Sequence, residues 1–70
     1  MVQNDDNIPR TDVPALFAEI TALLEDAHEI SVRGQSSRLE RQRYLRTTAE
    51  LETILNQIRL NSDAIRRTLK

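Results

Sequence analysis

The chain contains no cysteine and no tryptophan, and its 70 residues include one glycine, two prolines and two aromatic residues. Without cysteine it can form neither a disulfide framework nor a thiolate metal site, which fits a reducing compartment. The N-terminus is polar, unlike a secretory signal, and no apolar run approaches the length needed to span a bilayer. We therefore expect a cytoplasmic protein with no membrane-spanning segment.

Motifs of catalysis and nucleotide binding are also missing. There is no phosphate-binding loop, no GxSxG nucleophile elbow and no dinucleotide fingerprint. His28 is the only histidine, and a metal or general-base site needs further ligands or an orienting partner, so we interpret it as an exposed helix residue. Glu25, Asp26 and Glu29 would hold a hard cation only weakly without a glycine-bearing loop. We predict no enzymatic activity, no metal site and no cofactor.

What the chain does have is a regular alternation of spacings of three and four residues on both sides of Gly34. The first stripe is Val13, Leu16, Ile20, Leu23, Ala27, Ile30 and Gly34. The second stripe is Arg41, Tyr44, Thr48, Leu51, Leu55, Ile58, Ser62, Ile65 and Leu69. A 3.5-residue repeat on both sides of a short polar turn is typical of two helices that bury one seam against each other. The pattern predicts an all-α protein, an antiparallel two-helix hairpin that resembles a coiled coil.

Local signals predict where the two helices begin and end. Asp12 is a good N-cap, and Gly34 is a good C-cap because glycine adopts a positive φ without strain. Ser37 and Glu40 match a capping box, in which each side chain bonds the backbone of the other residue. The predicted parts are helices over residues 13–33 and 38–69, within a hairpin domain of residues 12–70, and a mobile N-terminal tail of residues 1–11.

Folding back from this turn predicts which residues of the two helices face each other. The predicted neighbours are Ile30 with Arg41, Leu23 with Thr48, and Leu16 with Leu55. The shorter first helix would then end beside Ile58. Beyond it, Ile65 and Leu69 would continue the stripe without a partner in this chain, unless the N-terminal tail folds back over them. An apolar overhang of this kind indicates an interaction with another protein.

A second surplus of apolar residues lies at the edge of the predicted seam. With Val13 and Arg41 taken as heptad position a, the e positions include Phe17, Leu24 and Leu45, and we expect them on one face of the hairpin. These residues either widen the core stripe, as e positions do in small bundles, or form a patch that a partner covers. The candidate partner-binding residues are Phe17, Leu24, Leu45, Ile58, Ile65 and Leu69.

Residues 33–58 resemble a known family. The residues that carry the resemblance are Arg33-Gly34 at the turn, then Gln42, Tyr44 and Arg46, then Leu51-Glu52-Thr53-Ile54-Leu55, and finally Ile58. This arrangement is similar to that of the YscE/PscE group of small type III secretion proteins. Those proteins have a helix, a short turn containing Arg-Gly, and a second helix with an aromatic residue seven positions before a Leu-Glu-small-apolar segment. Arg41 departs from the pattern, since the family tends to have an aromatic residue there.

The resemblance implies a non-enzymatic co-chaperone that takes part in virulence. Such a protein pairs with a larger helical-repeat chaperone, and together they keep the needle subunit soluble and monomeric in the bacterial cytoplasm. On this interpretation the candidate partner-binding residues meet the chaperone.

An alternative is a homodimeric four-helix bundle that binds RNA or DNA through clustered arginines. These arginines are Arg33, Arg38, Arg41, Arg43 and Arg46. Guanidinium groups bind phosphates through charge and forked hydrogen bonds. Against this alternative, the arginines circle the helix, the chain has a formal net charge of −1, and no aromatic residues lie among them in a base-stacking pattern.

Overall fold

The computed structural model describes residues 12–70, which form two α-helices. Helix α1 is Val13–Arg33 and helix α2 is Arg41–Leu69, and the two pack against each other. The predicted all-α helical hairpin is confirmed. No helix in this part of the chain is long and apolar enough to cross a membrane. The predicted tail of residues 1–11 lies outside the described residues.

The two ends of α1 lie where the sequence predicts them, but Gly34 does not use its conformational freedom. A proline in the first turn of α1 loses nothing there, because the N–H groups of that turn have no helical acceptor. At the other end Gly34 has φ −72° and ψ −9°, so the predicted positive φ is wrong. The reason is that the N–H of Gly34 still bonds the carbonyl of Ile30 at 3.1 Å, which continues the helical turn.

Helix α2 begins later than predicted. It starts at Arg41 instead of near residue 38, and the predicted capping box of Ser37 and Glu40 does not form. Glu40 is extended, with φ −72° and ψ 159°, and its side chain makes no cap hydrogen bond. Two hydrogen bonds that involve side chains order the connection, and both use Ser36. Its hydroxyl accepts the N–H of Arg38 at 3.3 Å, and its carbonyl accepts the hydroxyl of Tyr44 at 2.6 Å.

The two helices meet in a different register from the predicted one. A β-carbon added to Gly34 would lie 3.7 Å from Cγ2 of Thr47, and Ile30 lines a common surface concavity with Leu51. Ile30 therefore lies near Leu51, and its predicted proximity to Arg41 is wrong by ten residues. The shift arises because the first turns of α2 continue past the end of α1, where Tyr44 bonds the connection.

Both helices rise by the same amount per residue, so these two contacts also determine which residues lie at the same level farther along the seam. We call each such pair of residues a layer. The layers are Gly34 with Thr47, Ile30 with Leu51, Ala27 with Ile54, Leu23 with Ile58, Ile20 with Asn61, Leu16 with Ile65, and Val13 with Thr68. Each of these residues is buried or half-buried. The α1 residues of these layers are those of the predicted first stripe. Because Val13 reaches the level of Thr68, α1 covers nearly the whole end of α2, and the predicted uncovered end is wrong.

The stripe that α2 buries is rotated from the predicted one. Leu51, Ile58 and Ile65 belong to both, but Thr48 and Leu55 are exposed, and the residues before them, Thr47 and Ile54, are half-buried instead. The sequence gives the spacing of α2 but not which of two adjacent stripes faces α1, since both contain apolar residues.

Candidate functional site: an apolar face beside the seam

Two contacts establish which sides of the helices lie together. Ser31 of α1 lines the same surface concavity as Tyr44 and Thr48 of α2, so these residues share one side of the hairpin. On the opposite side of the seam, Arg33 pairs with Glu50 at 3.5 Å. The hairpin thus has two distinct faces that flank its seam.

The face that contains Ser31 and Thr48 is apolar over most of its length. Residues separated by seven positions lie on the same side of a helix, which extends this face along α1 to Leu24 and Phe17. Along α2 the same spacing extends it through Leu55 and Ser62 to Leu69. We define the apolar face as the four large side chains Phe17, Leu24, Leu55 and Leu69. Their exposed fractions are 55, 52, 49 and 49%.

Three of the candidate partner-binding residues lie on this face, namely Phe17, Leu24 and Leu69. Leu45 does not lie with them, and its predicted place beside Phe17 and Leu24 is wrong. It precedes Thr47 by two residues, or about 200° around the helix, so it points away from the seam. Leu45 is also 49% exposed, on the outer surface of α2.

The other two candidates, Ile58 and Ile65, belong to the seam. Ile58 is half-buried in the layer of Leu23, and Ile65 is only 8% exposed in the layer of Leu16. The expectation that Ile65 has no cover in this chain is therefore wrong. The cause is the register, which brings the first turns of α1 alongside the last turns of α2.

Leu55 is the residue of the face that the sequence reasoning missed. The heptad assignment predicts Leu55 at position a, opposite Leu16 and inside the seam. A signal was present in the sequence, since Thr48, Leu55, Ser62 and Leu69 repeat every seven residues beside a second stripe of similar spacing. A helix with two adjacent stripes has two apolar contacts to make.

The concavity at the turn end of the apolar face has a volume of about 320 Å³. It is lined by Ile30, Ser31, Gly34, Gln35, Tyr44, Thr47, Thr48 and Leu51. Small side chains from both helices meet here, and they leave a depression between the larger Tyr44 and Leu51. Its open, partly apolar shape suits an inserted side chain more than an enclosed small molecule.

The arginines gather at the turn end of the hairpin. Arg38, Arg41, Arg43 and Arg46 are exposed in the connection and the first turns of α2. Arg33 bonds Glu50 across the helices. The register places Arg38, Arg41, Arg43 and Arg46 beyond the end of α1.

The rest of the described chain offers little chemistry. His28 is exposed, and residues 12–70 contain no group of three or more His, Cys, Asp or Glu residues placed to hold a metal ion. The two distinctive surfaces of the described residues are the apolar face and the exposed arginines at the turn end. Comparisons with protein-family models, curated proteins and solved structures found no match to this chain.

Proposed function

We propose that this chain is a non-enzymatic protein-binding hairpin that holds a partner on its apolar face. The observation that carries the proposal is the balance between sheltered and exposed apolar residues. Only Ala27, Ile30 and Ile65 are buried among residues 12–70, whereas the apolar face alone leaves four large side chains about half exposed. Burying one such side chain fully is worth about 1.5–3 kcal/mol, so covering the face stabilises the molecule substantially.

The shape of the face indicates the kind of partner. Phe17 and Leu24 form one ridge and Leu55 and Leu69 form another, and the ridges run along antiparallel helices. An amphipathic helix laid between two such ridges places its own apolar residues at spacings of three and four. We therefore propose a helical partner.

The resemblance of residues 33–58 to the YscE/PscE group supports a more specific proposal. The chain would be a co-chaperone in the bacterial cytoplasm, where it pairs with a larger helical-repeat chaperone. That pair would keep a type III secretion needle subunit soluble and monomeric. A needle subunit polymerises through an amphipathic helix, so its stored form needs an apolar groove that is itself stabilised.

Co-expression tests this proposal. The chain is produced with the helical-repeat chaperone and needle subunit of a type III system from its own host, and the soluble complex is purified and weighed by light scattering. We expect a ternary complex that Leu24→Asp abolishes, because the charge would enter the covered face. Leu60→Asp is the matched control, since Leu60 is 48% exposed but lies on the outer side of α2.

Two results would contradict the proposal. One is a needle subunit that stays soluble to the same extent without the chain. The other is equal loss of the complex in the Leu24 and Leu60 variants, which would place the contact elsewhere. Ile58→Asp is not a suitable test, because Ile58 is half-buried in the seam and the charge would unfold the hairpin.

A second candidate function is binding of RNA or DNA, supported by the exposed arginines at the turn end. Arg38, Arg41, Arg43 and Arg46 lie at the N-terminus of α2, where the helix dipole disfavours positive charge unless an anion is near. We expect such binding to weaken steeply with added salt and to disappear in the double variant Arg38→Ala with Arg43→Ala. Undetectable affinity for either nucleic acid at low salt would rule it out.

A further inference from the structure

We propose that, while no other partner is bound, a second copy of this chain covers the apolar face, and that Phe17 of each copy fills the concavity of the other. The result is an antiparallel four-helix bundle with the two turns at opposite ends. This inference rests on the proposed function, because it assigns an occupant to the same face. It adds a specific contact and a specific geometry.

Phe17, Leu24 and Ser31 are evenly spaced along α1. Phe17 precedes Leu24 by seven residues, and Ser31, on the rim of the concavity, follows Leu24 by seven residues. At 1.5 Å per residue each separation is about 10.5 Å along the helix. A two-fold axis through Leu24, perpendicular to the helices, therefore brings Phe17 of one copy to the level of Ser31 of the other.

The ring of Phe17 and the concavity at Ser31 are complementary in size. The ring of Phe17 projects from the apolar face and is 55% exposed. The face is recessed at Ser31, where the concavity of about 320 Å³ is bordered by small residues such as Gly34 and Thr48. A phenyl ring placed in that recess removes apolar surface of both copies from water. Isologous contacts of this kind form two identical insertions per dimer.

The centre of the same face is also suited to a two-fold axis. Leu24 and Leu55 come from different helices and lie within about 3 Å of the same level along the hairpin, from the register described above. Both are about half exposed. The axis would thus pass between two pairs of leucines, which makes a central apolar layer of four.

Charge favours opposite ends for the two turns. Beyond the end of α1, residues 34–46 carry Arg38, Arg41, Arg43 and Arg46 but only one acidic residue, Glu40. A dimer with both turns at one end would crowd two such clusters together. The other end carries Arg66, Arg67 and Lys70 but also Asp12, Glu19 and Asp63, so its charges nearly balance. Turning one copy end for end avoids the repulsion and is also the arrangement that places Phe17 over the concavity.

Sedimentation equilibrium of the purified chain tests the association itself. We expect a monomer–dimer equilibrium in which Phe17→Ala weakens dimerisation at least about tenfold, which corresponds to about 1.4 kcal/mol. Leu60→Ala is the control and should leave the dissociation constant unchanged. Circular dichroism of both variants checks that the helices persist. A monomer at every concentration, or equal dissociation constants for the wild type and Phe17→Ala, would overturn the proposal.

Spin labels test the geometry. The chain has no cysteine, so Arg41→Cys introduces a unique labelling site at the start of α2. In the antiparallel dimer the two labels lie about 15 residues on either side of the axis, or about 45 Å apart along the bundle. A single distance near that value by pulsed electron resonance supports the arrangement. A distance below about 20 Å would place both turns at one end and overturn it.

These outcomes separate the dimer from the proposed function. A chain that is monomeric alone and enters a complex only with the chaperone would overturn self-association and leave the co-chaperone proposal standing. A Phe17-dependent dimer that does not affect the needle subunit would support self-association and contradict the co-chaperone proposal.

Discussion

The hydroxyl of Tyr44 donates a 2.6 Å hydrogen bond to the backbone carbonyl of Ser36. This bond joins the first turn of α2 to the connection that precedes it, across a part of the hairpin where α1 has already ended. It explains how α2 extends past α1 without an N-terminal side-chain cap. The register of the whole seam follows from this extension.

We predict that Tyr44→Phe destabilises the hairpin by about 1 kcal/mol, because it removes one net hydrogen bond and keeps the ring. Thermal denaturation at matched protein concentration measures the change. Ser37→Ala is the control and should cost less than about 0.5 kcal/mol, since Ser37 does not cap α2. The opposite ranking of the two variants would restore the capping box and contradict the observed start of the helix.

Gly34→Ala should stabilise the chain by about 0.4–1 kcal/mol. Its φ of −72° suits any L-residue, and an added β-carbon would make ordinary contacts, at 3.5 Å to the carbonyl oxygen of Ser31 and 3.7 Å to Cγ2 of Thr47. Alanine would then lower the entropy of the unfolded chain without strain. Gly34 also lines the concavity that Phe17 of a second copy is proposed to fill. Denaturation is therefore measured in the Phe17→Ala background, which separates the effect on folding from an effect on dimerisation. A loss of about 1 kcal/mol or more would indicate a left-handed Gly34.

How far the sequence predicts this structure can be judged from Ile30 and Leu55. The stripe of α1, including Ile30, follows directly from apolar spacing, because that helix has only one strongly apolar stripe along its seam. In α2, two adjacent stripes compete, and Leu55 at position a is as apolar as Ile54 at position g. Which of them turns inward depends on where α2 starts relative to the end of α1, and spacing alone carries no information about it.

In the candidate site, too, the residues of α1 are predicted correctly and most of those of α2 are not. Phe17 and Leu24 are predicted as surplus from the stripe of α1, which is correct, and both side chains are exposed. The predicted places of Leu45 and Ile65 are wrong, because they depend on the rotation and register of α2. A hairpin with a short, well-capped turn would have made both easier to predict, because its first paired layer follows immediately from the turn.

Ile65 should be among the most sensitive positions in the chain. It is 8% exposed in the layer of Leu16, and truncation to alanine would leave a cavity between the helices. We expect Ile65→Ala to cost about 2 kcal/mol or more and the matched variant Leu60→Ala less than about 0.5 kcal/mol, measured by urea denaturation. Similar costs for the two variants would mean that Ile65 is not sheltered by α1.

Asn61 is the polar residue within the seam whose replacement should increase stability. Its Nδ2 atom is buried and has no hydrogen-bond partner within residues 12–70, in a layer otherwise formed by Ile20. An unsatisfied buried amide costs about 1–3 kcal/mol, and leucine at this position would add apolar contact as well. We therefore expect Asn61→Leu to raise the free energy of unfolding by at least about 1 kcal/mol. Asn56→Leu, at an exposed position of the same helix, should change it by less than about 0.5 kcal/mol.

A polar residue in an apolar seam also restricts which layers can pair, because a shifted register would bury its amide against other apolar residues. Asn61→Leu should for this reason stabilise the fold and weaken its preference for one register. Paired cysteines at Gly34 and Thr47, where a β-carbon added to Gly34 lies 3.7 Å from Cγ2 of Thr47, report that register by the rate of disulfide formation. We expect slower cross-linking in the Asn61→Leu background. Destabilisation by Asn61→Leu would instead mean that the amide has a partner, and that the polar layer contributes to stability directly.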